Sequence, residues 1–167
     1  LTADSTEWQR TLTAQLESLE PALPKLDAEL QIATAETLTV QRAAEAALEP
    51  LGRFVSFSRH VAPIFARRCV ACHNTRSPGG RLNLDSFAAL QKGGESGAVV
   101  TTHNSAESLL ISEVESGSMP KEADSLKADE IAVLKHWIDV GAPLDAGVSL
   151  TADLFDVVPE FSQPDRK

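Results

Sequence analysis

Leucine recurs at positions 12, 16, 19, 23, 26 and 30 with alternating spacings of four and three, and Ala33 continues the phase. That rhythm places one apolar seam along a helix, with Glu17, Glu20, Lys25, Asp27 and Glu29 filling the remaining positions. Pro21 and Pro24 interrupt it, each removing a backbone donor and disfavouring helix in the residue before. The pattern predicts helices over residues 5–20 and 24–48, arranged as a helical hairpin or as one kinked long helix. Glu49-Pro50-Leu51-Gly52 ends the segment.

The texture then changes. A short helix is predicted over 58–71, turning Val61, Ile64 and Phe65 inward. A glycine-punctuated stretch follows over 74–102, and a run of that length without its own periodicity usually wraps something. Further helices are predicted over 105–116, with Leu109, Leu110 and Val114 inward, and over 127–140, with Ile131, Leu134 and Ile138 beside Trp137 and Gly141 as the stop. Strand alternation is absent, so the expected class is all-α. The expected organisation is a helical extension over 1–52, a compact domain over 53–145 and a tail or linker over 146–167.

Composition narrows the function. The chain has 167 residues, a net charge of −9 and 43% hydrophobic residues. Phosphate contacts need a basic stripe, so nucleic acid is a poor partner; an acidic surface favours a basic protein partner instead. No apolar run approaches the ~20 residues that span a bilayer. No signal peptide opens the sequence, which is read as removed or excised. With six Phe, two Trp and no Tyr, the core has little aromatic volume of its own, and a large apolar cofactor could supply it. No paired carboxylates, Ser/His arrangement or phosphate loop points to an enzyme.

The only two cysteines are Cys69 and Cys72, and His73 follows at once. This C-x-x-C-H pattern reads as a c-type haem attachment site. Each thiol adds across a haem vinyl group, and the adjacent histidine lies under the ring as an axial ligand. Three other readings compete: a disulfide closing a tiny loop, a thioredoxin-like pair lacking its βαβ setting, and half of a zinc site completed by His60 and His103. A second axial ligand would close the iron for electron transfer. Met119, the only methionine, stands in a polar loop before Pro120, where gap-filling gives it little to do. His103 is the rival ligand; His60 and His136 read as surface or capping residues.

Four blocks, "FSRHVAPIFARRCVACH", "GGRLNLDSFAALQKGGESG", "ESLLISEVESGSMP" and "EIAVLKHWIDVGAP", occur in an order that resembles a class I c-type cytochrome of the planctomycete type. The resemblance covers residues 55–143 and implies a small class I cytochrome c fold around one covalently bound haem c. It implies Cys69 and Cys72 as thioether anchors, His73 as proximal ligand and Met119 as distal ligand. By the same resemblance the Pro78 carbonyl accepts from the second ring nitrogen of His73. Phe65, Leu82, Leu84, Leu109, Leu110 and Trp137 are haem-lining candidates, and Arg81 is a candidate for a propionate. "VVTTHNSAES" departs from the family pattern, which keeps His103 in play. The function implied is electron transfer within a larger exported protein, with a redox partner protein or neighbouring domain. The alternatives are a haem-based gas or redox sensor, and a structural haem module whose helical extension mediates assembly as a homo-oligomer. Haem attachment to reduced thiols outside the bacterial cytoplasmic membrane implies a periplasmic or otherwise exported location.

Overall fold

The computed structural model describes residues 3–121 and 123–161. These residues are helical, with no strand among them, and the chain divides into two compact units, Leu1–Gln41 and Arg42–Lys167.

The first unit is built from α1, Ala3–Leu19, a single 3-10 turn, Glu20–Ala22, and α2, Leu23–Leu48, which continues past the unit's end. Of the two predicted arrangements the chain takes the long helix and not the hairpin. Leu19 (φ −88, ψ −28) and Leu23 (φ −58, ψ −49) both stay right-handed helical, so nothing reverses the chain. Pro21 is the second residue of the 3-10 turn and Pro24 lies in the first turn of α2, where a missing N–H leaves little unsatisfied. The seam leucines remain 56–66% exposed, so no partner within the described chain covers them. Thr11, Thr13, Thr34, Thr37 and Thr39 each donate their hydroxyl to the carbonyl four residues earlier, which lets a poor helix former sit inside a helix. A 3-10 turn, Glu49–Leu51, follows α2, and Gly52 at φ 66 closes it.

The second unit holds the core. Ser56 accepts from the Arg59 N–H and starts a π-helical turn, Phe57–Val61, which runs into α3, Ala62–Arg68. Then come α4, Phe87–Lys92, capped by Ser86; α5, Leu109–Glu115; α6, Ala128–Asp139; and α7, Leu154–Val157, capped by Asp153. The helix predicted over 105–116 is divided, because Asn104 caps a 3-10 turn, Ser105–Glu107, and Ser108 is extended before α5 begins. Helix α4 lies inside the stretch read as loop; its signal was the Ser86 cap followed by Gly93. Gly93 (φ 72) is required there, since a Cβ would lie 2.1 Å from the Gly97 carbonyl oxygen.

Phe57 organises the aromatic centre. Its ring meets Phe87 at 5.1 Å, Trp137 at 5.8 Å and Phe65 at 6.2 Å, mostly edge to face. Phe65 and Trp137 join α3 to α6 at 6.4 Å, and the indole N–H donates to the Pro143 carbonyl at 2.9 Å. Val61, Ala62, Leu134, Ile138 and Val158 are fully buried around them. Asp139 accepts from the N–H and hydroxyl of Ser105 at 2.8 and 3.0 Å. These bonds hold its carboxyl below the usual carboxylate range.

The expected tail over 146–167 is corrected through residue 161. The Leu150 carbonyl accepts from the Ala88 N–H at 2.8 Å, and the Leu154 N–H donates to the Asp85 carbonyl at 2.7 Å. Leu154 and Val158 are 1% and 0% exposed, and Glu160 pairs with Arg67. Two buried apolar side chains at a spacing of four make this a packed element, not a linker. Residues 162–167 lie outside the described residues. Leu154→Ala is expected to lower stability by about 2–5 kcal/mol, read from the midpoint shift in urea unfolding; an unchanged midpoint would show that the segment contributes no packing.

Candidate functional site

Helix α3 delivers the site. The N–H groups of Cys69 and Val70 both donate to the Phe65 carbonyl at 2.9 Å, ending the helix against a buried core residue. The chain then turns on the Cys69 carbonyl, which accepts from Cys72 N–H at 3.1 Å and His73 N–H at 3.0 Å. One tight turn therefore gathers both thiols and the imidazole. Both cysteines are free; Cys69 is half-buried and Cys72 exposed.

The loop beyond is fastened by side chains that the sequence reading missed. Asn74 donates to the Val70 carbonyl at 2.8 Å, while its oxygen accepts from Arg76 N–H at 2.8 Å and Ser77 N–H at 2.9 Å. Asp85 accepts from Thr75 N–H and hydroxyl. The Asn74 bond two residues ahead is an ordinary Asx turn, so its signal was present in the sequence. The loop returns to the turn through Gly79 N–H to the Cys72 carbonyl at 3.0 Å and Leu84 N–H to the His73 carbonyl at 2.9 Å.

His73 Nδ1 lies 2.8 Å from the Gly79 carbonyl oxygen. A carbonyl only accepts, so Nδ1 carries the proton and the Nε2 lone pair is left for a metal. This corrects the expected acceptor by one residue. The Pro78 carbonyl instead takes the Arg81 N–H at 2.7 Å. Gly79 suits the place because a Cβ there would sit 3.1 Å from the Cys72 carbonyl oxygen and 3.4 Å from the imidazole.

The remaining candidates separate by burial. Phe65, Leu84 and Trp137 are 1%, 2% and 1% exposed. Leu82, Leu109, Leu110, Met119 and Cys69 pack on the same core but stay partly uncovered. Pro78 and Arg81 are exposed, and Arg81 has a left-handed backbone (φ 56). Met119 is held by its N–H to the Glu113 carbonyl at 3.0 Å. A cavity of about 700 Å³ is lined by its neighbours Gly117, Ser118, Pro120, Lys121, Ala123 and Asp124. His103 (φ 64) serves the end of α6: its N–H donates to the Ile138 carbonyl at 2.9 Å and its Nδ1 lies 3.2 Å from the Asp139 carbonyl. His60 stands near Glu49 on the surface.

One ion pair flanks the turn that carries the cysteines. Arg68 reaches both carboxylate oxygens of Glu130 at 3.1 and 3.2 Å, and Glu130 also accepts from Lys127 N–H at 2.9 Å, capping α6 where Lys127 alone could not. The Glu130 bond raises the Arg68 guanidinium. For Glu130 burial works upward, yet its hydrogen bonds to Lys127 and Arg68 prevail and lower its carboxyl.

Two uncombined thiols on one turn, an imidazole with its tautomer fixed, a thioether and incompletely covered apolar side chains fit a covalently held porphyrin. Residues 69–123 match the Planctomycete cytochrome C family. Over those residues the chain is similar to a planctomycete-type cytochrome c domain. The matched span includes both cysteines, His73 and Met119 and stops before α6. No curated protein and no solved structure matches the chain. The cytochrome c family implies covalently bound haem c and haem-based electron transfer. Such domains are typically exported or periplasmic, and no described helix is long and apolar enough to cross a membrane.

Burial pushes the Cys69 thiol up to about 12, with the Glu130 carboxylate adding to the rise and Arg68 opposing it. A raised value keeps the thiol protonated, and only the thiolate is the nucleophile. In haem-free chain at pH 8, iodoacetamide should therefore modify exposed Cys72 at least ~10-fold faster than Cys69. Cys69 should catch up only as pH approaches its raised value. Peptide mapping reads the order, and equal rates at pH 8 would refute the raised value of the Cys69 thiol.

Proposed function

We propose that the cytochrome c domain carries one haem and passes single electrons, as a module of a larger exported protein. The observation that supports this most directly is the His73 Nδ1 contact with the Gly79 carbonyl, because it leaves Nε2 as the imidazole's only lone pair. In this reading Cys69 and Cys72 would hold the haem through thioethers, and His73 and Met119 would ligate its iron. Haem supplies the one-electron couple; the chain supplies its ligands, its orientation and its low-dielectric surroundings. A thioether favours the reduced iron, and the apolar residues Phe65, Leu82, Leu84, Leu109, Leu110 and Trp137 disfavour the extra charge of the oxidised state. Both effects raise the potential. The bond to Gly79 acts the other way by making the imidazole a stronger donor.

Met119 is preferred to His103 because the His103 ring is engaged over the last turn of α6. A Cβ at Gly141 would lie only 2.7 Å from that ring, so the imidazole is packed on backbone. The domain acts as a carrier, not a catalyst, and its redox partner is a protein or a neighbouring domain. The net charge of −9 favours a partner with a basic docking surface.

Co-expression with a cytochrome maturation system should give protein whose intact mass includes one haem that survives acid and denaturant. The dithionite-reduced form should show a sharp low-spin α band. Met119→Ala should turn the oxidised spectrum high-spin and let the reduced protein bind CO, while His103→Ala leaves both unchanged. The reverse outcome for the two variants would move the distal ligand to His103, and colourless folded protein would remove the haem reading altogether.

A further inference from the structure

The leucine seam of the first unit has no part in the haem site. Leu12, Leu16, Leu19, Leu23, Leu26 and Leu30 are each more than half exposed on α1 and α2, so their apolar surface is uncovered within the described chain. We propose that this seam pairs with the same seam of a second copy, forming a parallel, in-register two-stranded coiled coil.

Heptad positions follow from the spacing. Leu16, Leu23 and Leu30 fall at a, and Leu12, Leu19 and Leu26 at d, with Val40 a later d position that is 70% exposed. The leucine spacing keeps the heptad register in sequence across the 3-10 turn. Pro21 falls at f and Pro24 at b, both away from the seam, so neither proline ring stands on the pairing face. Burying a leucine removes on the order of 100 Å² from water. Six leucines from each copy then bury about 1,200 Å², the lower edge of a stable specific interface, and Trp8, at a flanking g position and 73% exposed, adds to it.

Charge selects the orientation. The flanking e and g positions hold Glu20, Asp27, Glu29 and Glu36 and no basic residue. In a parallel in-register pair each g position faces the e position of the next heptad. The facing pairs are then Gln15 with Glu20, Ala22 with Asp27, Glu29 with Thr34 and Glu36 with Gln41. None sets two charges together. An antiparallel alignment of the same leucines brings e against e, so Glu20 and Asp27 of one copy face Glu20 and Asp27 of the other. Like charges at these positions oppose pairing. Parallel pairing is also compatible with both copies of Arg42–Lys167 following from the same end of the coil.

The full haem-loaded chain at ~100 μM, a concentration at which a micromolar dimer is mostly assembled, should show twice the monomer mass by light scattering. Leu19→Asp with Leu26→Asp should halve that mass while the reduced α band stays unchanged, which separates this outcome from any failure of the haem reading. Leu12→Cys should form an interchain disulfide on mild oxidation, since Cys69 and Cys72 are consumed as thioethers. Antiparallel chains would hold the two position-12 residues at opposite ends of the seam, so a dimer without that disulfide overturns the orientation. A monomer at this concentration overturns the proposal, including one that pairs only when a leucine-seam peptide with lysines at e and g is added.

Discussion

The hydrogen bond from His73 to the Gly79 carbonyl is the constraint on which the rest of the site depends. It is made by a residue six positions away in sequence, and it holds only if the intervening loop folds back onto the turn that carries the cysteines. Asn74, Thr75 and Asp85 fix that loop by side chain to backbone bonds, while Gly79 and Leu84 return it to Cys72 and His73 by backbone bonds. A fixed tautomer and a fixed ring orientation are therefore consequences of loop closure, not of anything intrinsic to the imidazole. This is how a short polar segment with little apolar burial can still present a ligand in one geometry.

The loop in turn needs a rigid base. Phe57, Phe65, Phe87 and Trp137 supply it by meeting, mostly edge to face, where the π-helical turn, α3, α4 and α6 converge. The aromatic residues are few in the sequence and concentrated at this point, so a small number of large side chains defines the crossing of α3 and α6. Glu130 reinforces the same crossing from outside the core. It caps α6 through Lys127 and grips Arg68, the residue next to Cys69. One carboxylate thus ties the start of the last long helix to the attachment turn.

Much of this was legible in the sequence for identifiable reasons. The order of helices followed from apolar spacing, and the inward positions Val61, Phe65, Leu134 and Ile138 followed from the same period. That one turn gathers the cysteines and the histidine was legible because they stand within five consecutive residues. Three features were not legible. The acceptor for His73 shifted from Pro78 to Gly79 because two neighbouring carbonyls compete, and the left-handed turn at Gly80 and Arg81 lets the Arg81 N–H take the first. Whether Pro21 and Pro24 reverse the chain depends on the conformation of the residues between them, which spacing does not encode. The segment after residue 145 lacked a long periodic run, yet Leu154 and Val158, four apart, were enough to anchor it.

That last segment has a bearing on how the domain ages. Asp85 belongs to two worlds: its carboxylate clasps Thr75 in the attachment loop, and its carbonyl receives the Leu154 N–H. A protease that nicks the chain near Ser149 would thus reach the cysteine turn indirectly, by unfastening the strap that steadies Asp85. Order in the segment around Leu154 and order in the loop around Thr75 are thus coupled through one residue.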